Sequence, residues 1–400
     1  MDLDLIRSLA VPGTTKIVLL SADGLGGFPD PTTGRSELET ARIPHLDALA
    51  RGGACGLLRH VAPGITPGSG PGHLGLFGYE PLRYPVGRGV LEALGIDFDL
   101  RAGDVAARGN FCTLDAAGRI TDRRAGRIST ERCVALVDRL RRIRVPGAEL
   151  VVEPVKEHRF VLVLRGPGLS GHLSETDPQA IGQPPLLVHA QVPEAQRTAE
   201  IVNRFVAEAR TILADAAPAN MVLLRGFDQR PALPHFPEVY SLRAAAIAAY
   251  PMYRGLARLV GMDVLKTGST FADEVGTLRD HWDAYDIMFL HYKDTDKAGE
   301  DGDFAGKVAA LERLDAAVPA IASLKPDVLV VTGDHATPAV LRGHSWHPVP
   351  VALAGQYALP DAVERFSERA CVAGSLGTLP AHDLMPLILA HALRLTKYGA

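Results

Sequence analysis

The sequence predicts an α/β protein: a doubly wound, mostly parallel sheet with a smaller α+β domain inserted into it. Three observations carry this. Short continuous apolar runs, at residues 16–20, 287–292 and 328–331, suit strands covered on both faces. Each run stops abruptly in acidic or small polar residues: Ser21-Ala22-Asp23-Gly24, Lys293-Asp294-Thr295-Asp296 and Thr332-Gly333-Asp334-His335. The stretches between the runs carry apolar residues three and four apart, and strand–helix alternation of this kind builds doubly wound sheets.

In chain order, residues 16–20 give the first strand. Residues 43–52 follow as a helix, with Pro44 near its start and Gly52 at its end, the usual asymmetry of helix termini. The rhythm then breaks. Residues 105–114 read as a strand, 115–118 as a turn, 119–122 as a strand and 130–142 as a helix, with strands at 149–155 and 158–164 before Pro184-Pro185. This is the expected insert, residues 103–189, with the core formed by 1–102 and 190–400. A helix over 198–216 and the apolar run 221–226 return the chain to the core. The strand at 287–292, the helix over 307–324 and the strand at 328–331 complete it.

Composition bounds the function. The 400 residues carry 42 Lys+Arg against 46 Asp+Glu, a net charge of -4, with 47% hydrophobic and 22% charged residues. That is ordinary globular usage, which argues against disorder. The balance also argues against nucleic acid as a partner, since phosphate backbones need a basic face. Cys55, Cys112, Cys133 and Cys371 form no Cys-x-x-Cys pair, which fits a reducing compartment and argues against a thiolate zinc site. The opening MDLDLIRSLAVPG lacks the basic segment and apolar core of a signal peptide, and no run is long enough for a membrane span. A cytoplasmic protein is expected.

The chemistry sits at the strand ends. Ligands of open parallel sheets gather at the carboxyl edge, where Asp23, Asp296, Asp334 and His335 would lie. Crowded carboxylates repel unless a cation stands among them, and oxygen with imidazole ligands suits a Mn-, Mg- or Zn-type ion. Any one such Asp is commonly a helix cap or turn residue; several on separate strands are harder to explain that way. Ser69 lies in a Gly/Pro-rich turn, Thr66 to Gly72, that would expose its hydroxyl and free backbone N–H groups for an anion; alone, this segment reads as a plain loop. A loop histidine such as His344 is more commonly a surface or packing residue, but it follows Asp334-His335 within ten residues, which raises the metal reading beside that one. Asp296 and Glu300, four apart, share a face if helical. Gly24-Leu25-Gly26-Gly27 partly matches the dinucleotide-binding glycine pattern, but its sixth position is Pro29, so the match is weak. Within the insert, Arg108 and the Arg123-Arg124-Ala125-Gly126-Arg127 run suit carboxylate or phosphate, while Arg119 reads as a solvated surface residue.

Taken in order, Ser-Ala-Asp23-Gly-Leu-Gly, Ser69-Gly-Pro-Gly-His73-Leu-Gly-Leu-Phe-Gly-Tyr, Ala-Arg108-Gly-Asn-Phe, Asp-Arg-Arg124-Ala-Gly-Arg127, Thr-Asp296-Lys-Ala-Gly-Glu300-Asp-Gly-Asp, Thr-Gly-Asp334-His335-Ala-Thr-Pro and His344-Ser-Trp-His-Pro-Val-Pro resemble the archaeal-type, 2,3-bisphosphoglycerate-independent phosphoglycerate mutases of the alkaline phosphatase superfamily. The resemblance covers nearly the whole chain. It implies an alkaline-phosphatase-like core and a glycolytic isomerase that interconverts 3- and 2-phosphoglycerate through a phosphoserine at Ser69, using two divalent ions (Mn, Co, Mg or Zn) and no 2,3-bisphosphoglycerate. It further implies that Asp23, Ser69, Asp334 and His335 hold one ion and Asp296, Glu300 and His344 the other. Arg108, Arg124 and Arg127 would hold the substrate and close over it. The family commonly has His where this chain has Glu300, so a harder-ion preference is expected. The partner is then a small phosphoglycerate, with no nucleic acid or membrane; a homo-oligomer is compatible with this. Competing readings are a metal-dependent phosphomonoesterase on the same core, a phosphonopyruvate decarboxylase, ranked third, and a non-catalytic binding protein with a degenerate site.

Overall fold

The computed structural model describes residues 2–399. The chain divides into two compact units, Met1–Pro85 with Leu233–Ala400, and Val86–Ala232. Strands β1 (Ile17–Ala22) and β2 (Ala54–Arg59) belong to the first unit. Strands β3 (Val105–Leu114), β4 (Ile120–Asp122), β5 (Glu149–Lys156), β6 (Arg159–Arg165) and β7 (Met221–Gln229) belong to the second. The first unit resumes with β8 (Ala244–Ile247), β9 (Asp263–Val264), β10 (Ile287–Tyr292), β11 (Val328–Thr332), β12 (Val349–Gly355) and β13 (Gly377–Pro380).

The first unit is an eight-stranded sheet in the order β13-β2-β12-β11-β1-β10-β8-β9. Only β12 runs antiparallel to its neighbours; the other pairings are parallel. Every residue of β1, β10 and β11 is buried, as continuous apolar strands sandwiched between helices require. Leu46 of the helix Pro44–Gly52 and Leu311 and Leu314 of the helix Phe304–Ala322 pack with Leu20, Leu290 and Val331 in one core. The central trio β11-β1-β10 positions the site. Ala22 lies opposite Tyr292 and Ser21 opposite Thr332, so three chains leave the sheet together at its carboxyl edge.

A buried acid beneath this sheet has a consequence for stability. Glu274, on the helix Phe271–Asp280, accepts a hydrogen bond from the Ala249 N–H at 2.9 Å through Oε1, while Oε2 is buried with no partner. Burial pushes its pKa from 4.5 up to about 8. The folded protein therefore keeps this proton over a range in which the unfolded chain has lost it, and stability falls as pH rises from 4.5 to 8, then levels. Glu274→Gln is expected to exceed the wild type in stability by about 3 kcal/mol above that range, with the gap closing toward acid. Thermal melts across pH check this, and parallel profiles for the two proteins would contradict it.

The second unit is an antiparallel five-stranded sheet, β4-β3-β6-β5 with β7 also paired to β3. Leu136, Val137 and Leu140 of the helix Thr130–Leu140, with Val202 and Phe205 of the helix Gln196–Ile212, cover Phe160, Leu162 and Leu164. Here the sequence reading needs correction. The run at 221–226 is part of β7, which pairs from Val105↔Gln229 to Cys112↔Met221; it is not a strand of the parallel core. The span 103–189 lies inside a unit that extends further at both ends. The reason is that an apolar run states burial but not partner, and the helix at Gln196–Ile212 buries Ile201, Val202, Phe205 and Ala209 against this smaller sheet. Among the described residues, no helix is long and apolar enough to cross a membrane.

Candidate active site

The adjacent ends of β1, β10 and β11 bring Asp23, Asp296 and Asp334-His335 to one edge of the first unit. Asp23 follows β1 directly, and Gly24 turns the chain with φ +64°. A Cβ at Gly24 would lie 2.5 Å from Thr337 Oγ1 and 2.9 Å from Asp296 Cα, so glycine is required for both conformation and space. Asp296 lies in the first turn of the helix Asp294–Asp301, and Glu300 lies one turn on. Ser69 begins the helix Ser69–Leu76, after Gly68 as its cap. His344 is carried in by the loop that bridges Ser345 back to Ala336.

His335 is the hub. Its Nε2 lies 3.2 Å from Ser69 Oγ, from Asp23 Oδ1 and from Asp334 Oδ2. Its Nδ1 lies 2.9 Å from Thr337 Oγ1, whose hydroxyl donates to Asp296 Oδ1 at 2.7 Å, so Nδ1–H is the donor of that pair. Burial alone would lower its pKa, but the Asp334, Asp23 and Asp296 carboxylates hold it up at about 9. The carboxylates around His335 thus favour positive charge at this point of the site. Burial would raise Asp23, yet Lys293, His291 and His335 outweigh it and keep this carboxyl well below the usual range. Asp334 is likewise lowered: burial and Asp23 push it up, and His335 and His73 pull it down further.

His344 donates Nδ1–H to the Pro67 carbonyl at 3.0 Å. That leaves Nε2 facing Asp296 Oδ1 at 3.5 Å and Glu300 Oε1 at 3.8 Å. An imidazole whose outer nitrogen is anchored on a carbonyl, with the inner one turned to carboxylates, is the orientation of a metal ligand. Its ring stacks on His335 with centroids 3.6 Å apart.

These residues fit a divalent cation. Asp23, Asp334 and His335 offer ligand atoms within 4.8 Å of one another, as do Asp296, His335 and His344. Asp23 Oδ1 and Asp334 Oδ2 are buried without a hydrogen-bond partner, a costly state for an ionised oxygen unless a cation meets it. Because His335 turns Nε2 to Asp23 and Asp334 and commits Nδ1 to Thr337, it groups with the first pair. Asp296 and His344 stand on the other side of His335, with Glu300 Oε1 3.8 Å from His344 Nε2.

Sequence reasoning missed several contacts here. His73, one helical turn after Ser69, places Nδ1 at 2.8 Å from the Ser69 carbonyl and 3.1 Å from Asp334 Oδ2. The Tyr253 hydroxyl donates to Asp23 Oδ2, and its ring stacks on His291 with centroids 3.5 Å apart. Lys293 Nζ reaches Asp23 Oδ2 at 2.8 Å and Asp296 Oδ2 at 2.6 Å. Of these, only His73 carried a signal, its spacing from Ser69.

In the second unit, Arg108 sits on β3, with Nε 3.6 Å from Glu92 Oε1 and 3.4 Å from Asn110 Oδ1. Arg124 and Arg127 stand exposed in the turn after β4. All three, with Arg159, act on buried His158, whose pKa is driven down to about 3 by burial first and by these guanidiniums next. Their charges thus converge on His158, whose Nδ1 is buried without a hydrogen-bond partner and lies 3.9 Å from Glu157 Oε2. Arg123 is committed elsewhere, in a bidentate pair with Asp177 at 2.9 and 2.6 Å. His158 and Arg159 were not singled out from the sequence, where they read as the start of a strand.

Comparison with known proteins gives a consistent picture. A family model described as 2,3-bisphosphoglycerate-independent phosphoglycerate mutase matches residues 50–220. A probable 2,3-bisphosphoglycerate-independent phosphoglycerate mutase of Thermus thermophilus is 49% identical over the whole of both chains, and one of Aquifex aeolicus is 47% identical over the whole of both. Among solved structures, a Pyrococcus horikoshii protein superposes with a TM-score of 0.84 at 30% identity, covering 97% of this chain and 100% of its own. A cofactor-independent phosphoglycerate mutase from Thermoplasma acidophilum gives 0.68 at 32% identity, covering 94% and 100%.

Proposed function

Since the chain belongs to the 2,3-bisphosphoglycerate-independent phosphoglycerate mutases, a family of intramolecular phosphotransferases, we propose that it interconverts 3- and 2-phosphoglycerate through a phosphoserine at Ser69. The observation that carries this is the placement of Ser69 Oγ 3.2 Å from His335 Nε2, at the edge where Asp23, Asp334 and Asp296 converge. Asp23, Ser69, Asp334 and His335 would hold one divalent cation, and Asp296, Glu300 and His344 a second. Such ions supply charge neutralisation on the transferring phosphoryl group and a lowered serine pKa.

Ser69 Oγ attacks the phosphorus of 3-phosphoglycerate as its proton leaves, the ester bond to the C3 oxygen breaks, and that oxygen takes up a proton as glycerate forms. Glycerate stays bound and turns. Its C2 hydroxyl then attacks the phosphoserine, giving its proton up as the Oγ–phosphorus bond breaks, and Ser69 recovers its hydroxyl. Arg108, Arg124 and Arg127 suit the substrate's carboxylate or phosphate by their fork geometry and fixed charge. Retention of glycerate is what separates a mutase from a phosphatase, because water would otherwise take the phosphoryl group.

The test is an assay of 3-phosphoglycerate with Mn, Co or Mg and without added bisphosphoglycerate. 2-Phosphoglycerate is the expected product. Inorganic phosphate in proportion to substrate consumed would support a phosphomonoesterase instead. Removal of divalent ions by a chelator is expected to abolish turnover, and Mn to restore it; full activity after chelation would contradict the cation sites. Arg127→Ala is expected to raise the share of turnovers ending in free phosphate about tenfold while slowing serine phosphorylation less. An unchanged transfer-to-hydrolysis ratio would remove this residue from glycerate retention.

A further inference from the structure

We propose that Lys293 is a positioning residue shared by the two cation groups, holding Asp23 and Asp296 so that each presents a single oxygen to its ion; this rests on the two-cation reading above. Lys293 follows the last residue of β10, the strand beside β1. From there its Nζ crosses to Asp23 Oδ2 at 2.8 Å and meets Asp296 Oδ2, three residues on, at 2.6 Å. The third acceptor is Tyr253 OH at 3.2 Å, so each ammonium proton has a partner. Tyr253 in turn donates to the same Asp23 oxygen.

The two oxygens of each carboxylate are thereby distinguished. Asp23 Oδ2 is engaged by Tyr253 and Lys293, whereas Oδ1 is buried without a hydrogen bond and faces His335. Asp296 gives Oδ2 to Lys293, while its Oδ1 accepts the Thr337 hydroxyl at 2.7 Å and lies 3.5 Å from His344 Nε2. A carboxylate with one oxygen held by an ammonium coordinates through the other, which can accept a neutral hydroxyl and still offer a lone pair to an ion. A single ammonium on one carboxylate from each group also fixes the spacing between the groups. Lysine suits this place better than arginine, because a compact charge with three diverging donors matches three acceptors that are not coplanar.

An ammonium also repels cations, and the two effects predict opposite signs. Outer residues that orient ligands contribute about 10–100-fold to metal affinity. Lys293→Met keeps the stem and removes the donors. Metal-stripped wild type, Lys293→Met, Lys293→Arg and Tyr253→Phe would be titrated with Mn²⁺ by calorimetry, with electron paramagnetic resonance of the bound ion and circular dichroism as a check on folding. Wild type is expected to bind two ions. Lys293→Met should weaken both steps about 10-fold or more with the fold intact, Lys293→Arg should recover part of the loss, and Tyr253→Phe should weaken only the step that involves Asp23. Wild-type affinity or tighter binding in Lys293→Met would overturn the positioning role while leaving the two-cation reading intact; a wild type that binds no Mn²⁺ would overturn both. If Lys293→Met does not fold, the Tyr253→Phe titration decides: loss confined to one step supports the proposal, and wild-type affinity at both steps overturns it.

Discussion

Ser69→Ala is expected to lower mutase turnover by about 10⁴-fold or more while the protein still binds two divalent ions. The size follows from the role: loss of an attacking group removes the covalent route rather than weakening it. Cation binding survives because Asp23, Asp334 and His335 still offer ligand atoms within 4.8 Å of one another, and the hydroxyl is one weak donor among them. Steady-state assay beside a Mn²⁺ titration measures both quantities. Full activity in this variant would remove the phosphoserine step; loss of both ions would reassign Ser69 to site assembly.

Asp334→Asn is expected to be nearly as damaging, for a different reason. Asp334 Oδ1 accepts the Gly24 N–H at 3.1 Å, and Oδ2 lies 3.2 Å from His335 Nε2 and 3.1 Å from His73 Nδ1. An amide keeps the shape and one carbonyl acceptor, but it removes the charge that a cation and His335 both need. One of the two Mn²⁺ binding steps should be lost, the Asp296, Glu300 and His344 step should remain, and turnover should fall by about 10³-fold or more. Titration of the variant distinguishes this from collapse of the fold: two intact steps would take Asp334 out of the first group.

The polar ends of apolar runs made the acids of the site readable. Asp23 and Asp334 each follow a strand buried on both faces, and β1 and β11 are neighbours, so linear position became spatial position. The motif order added Ser69 and His344, which periodicity alone left open. What stayed hidden depends on side-chain reach. Lys293 stands beside two acids, Asp294 and Asp296, within three residues, where a lysine looks like charge balance at a helix start; its link to Asp23 exists only because β10 lies next to β1. Tyr253 and His291 look like core aromatics, since stacking partners leave no linear trace. The β7 run failed for a related reason. Apolar strands of a parallel sheet and of a covered antiparallel sheet share one composition, and the pairing of Val105 with Gln229 joins residues more than a hundred positions apart. His158 was likewise silent, because the guanidiniums that set its environment come from β3, from the turn after β4 and from its own neighbour.

The most direct measurement of the central claim is rapid acid quench of the Mn²⁺-loaded enzyme turning over 3-phosphoglycerate, followed by peptide mass spectrometry. The account predicts phosphate on the peptide carrying Ser69, formed and consumed at rates that match turnover, and absent from the Ser69→Ala protein. Turnover to 2-phosphoglycerate at the full rate with Ser69 unmodified, or with phosphate carried on another residue, would contradict it.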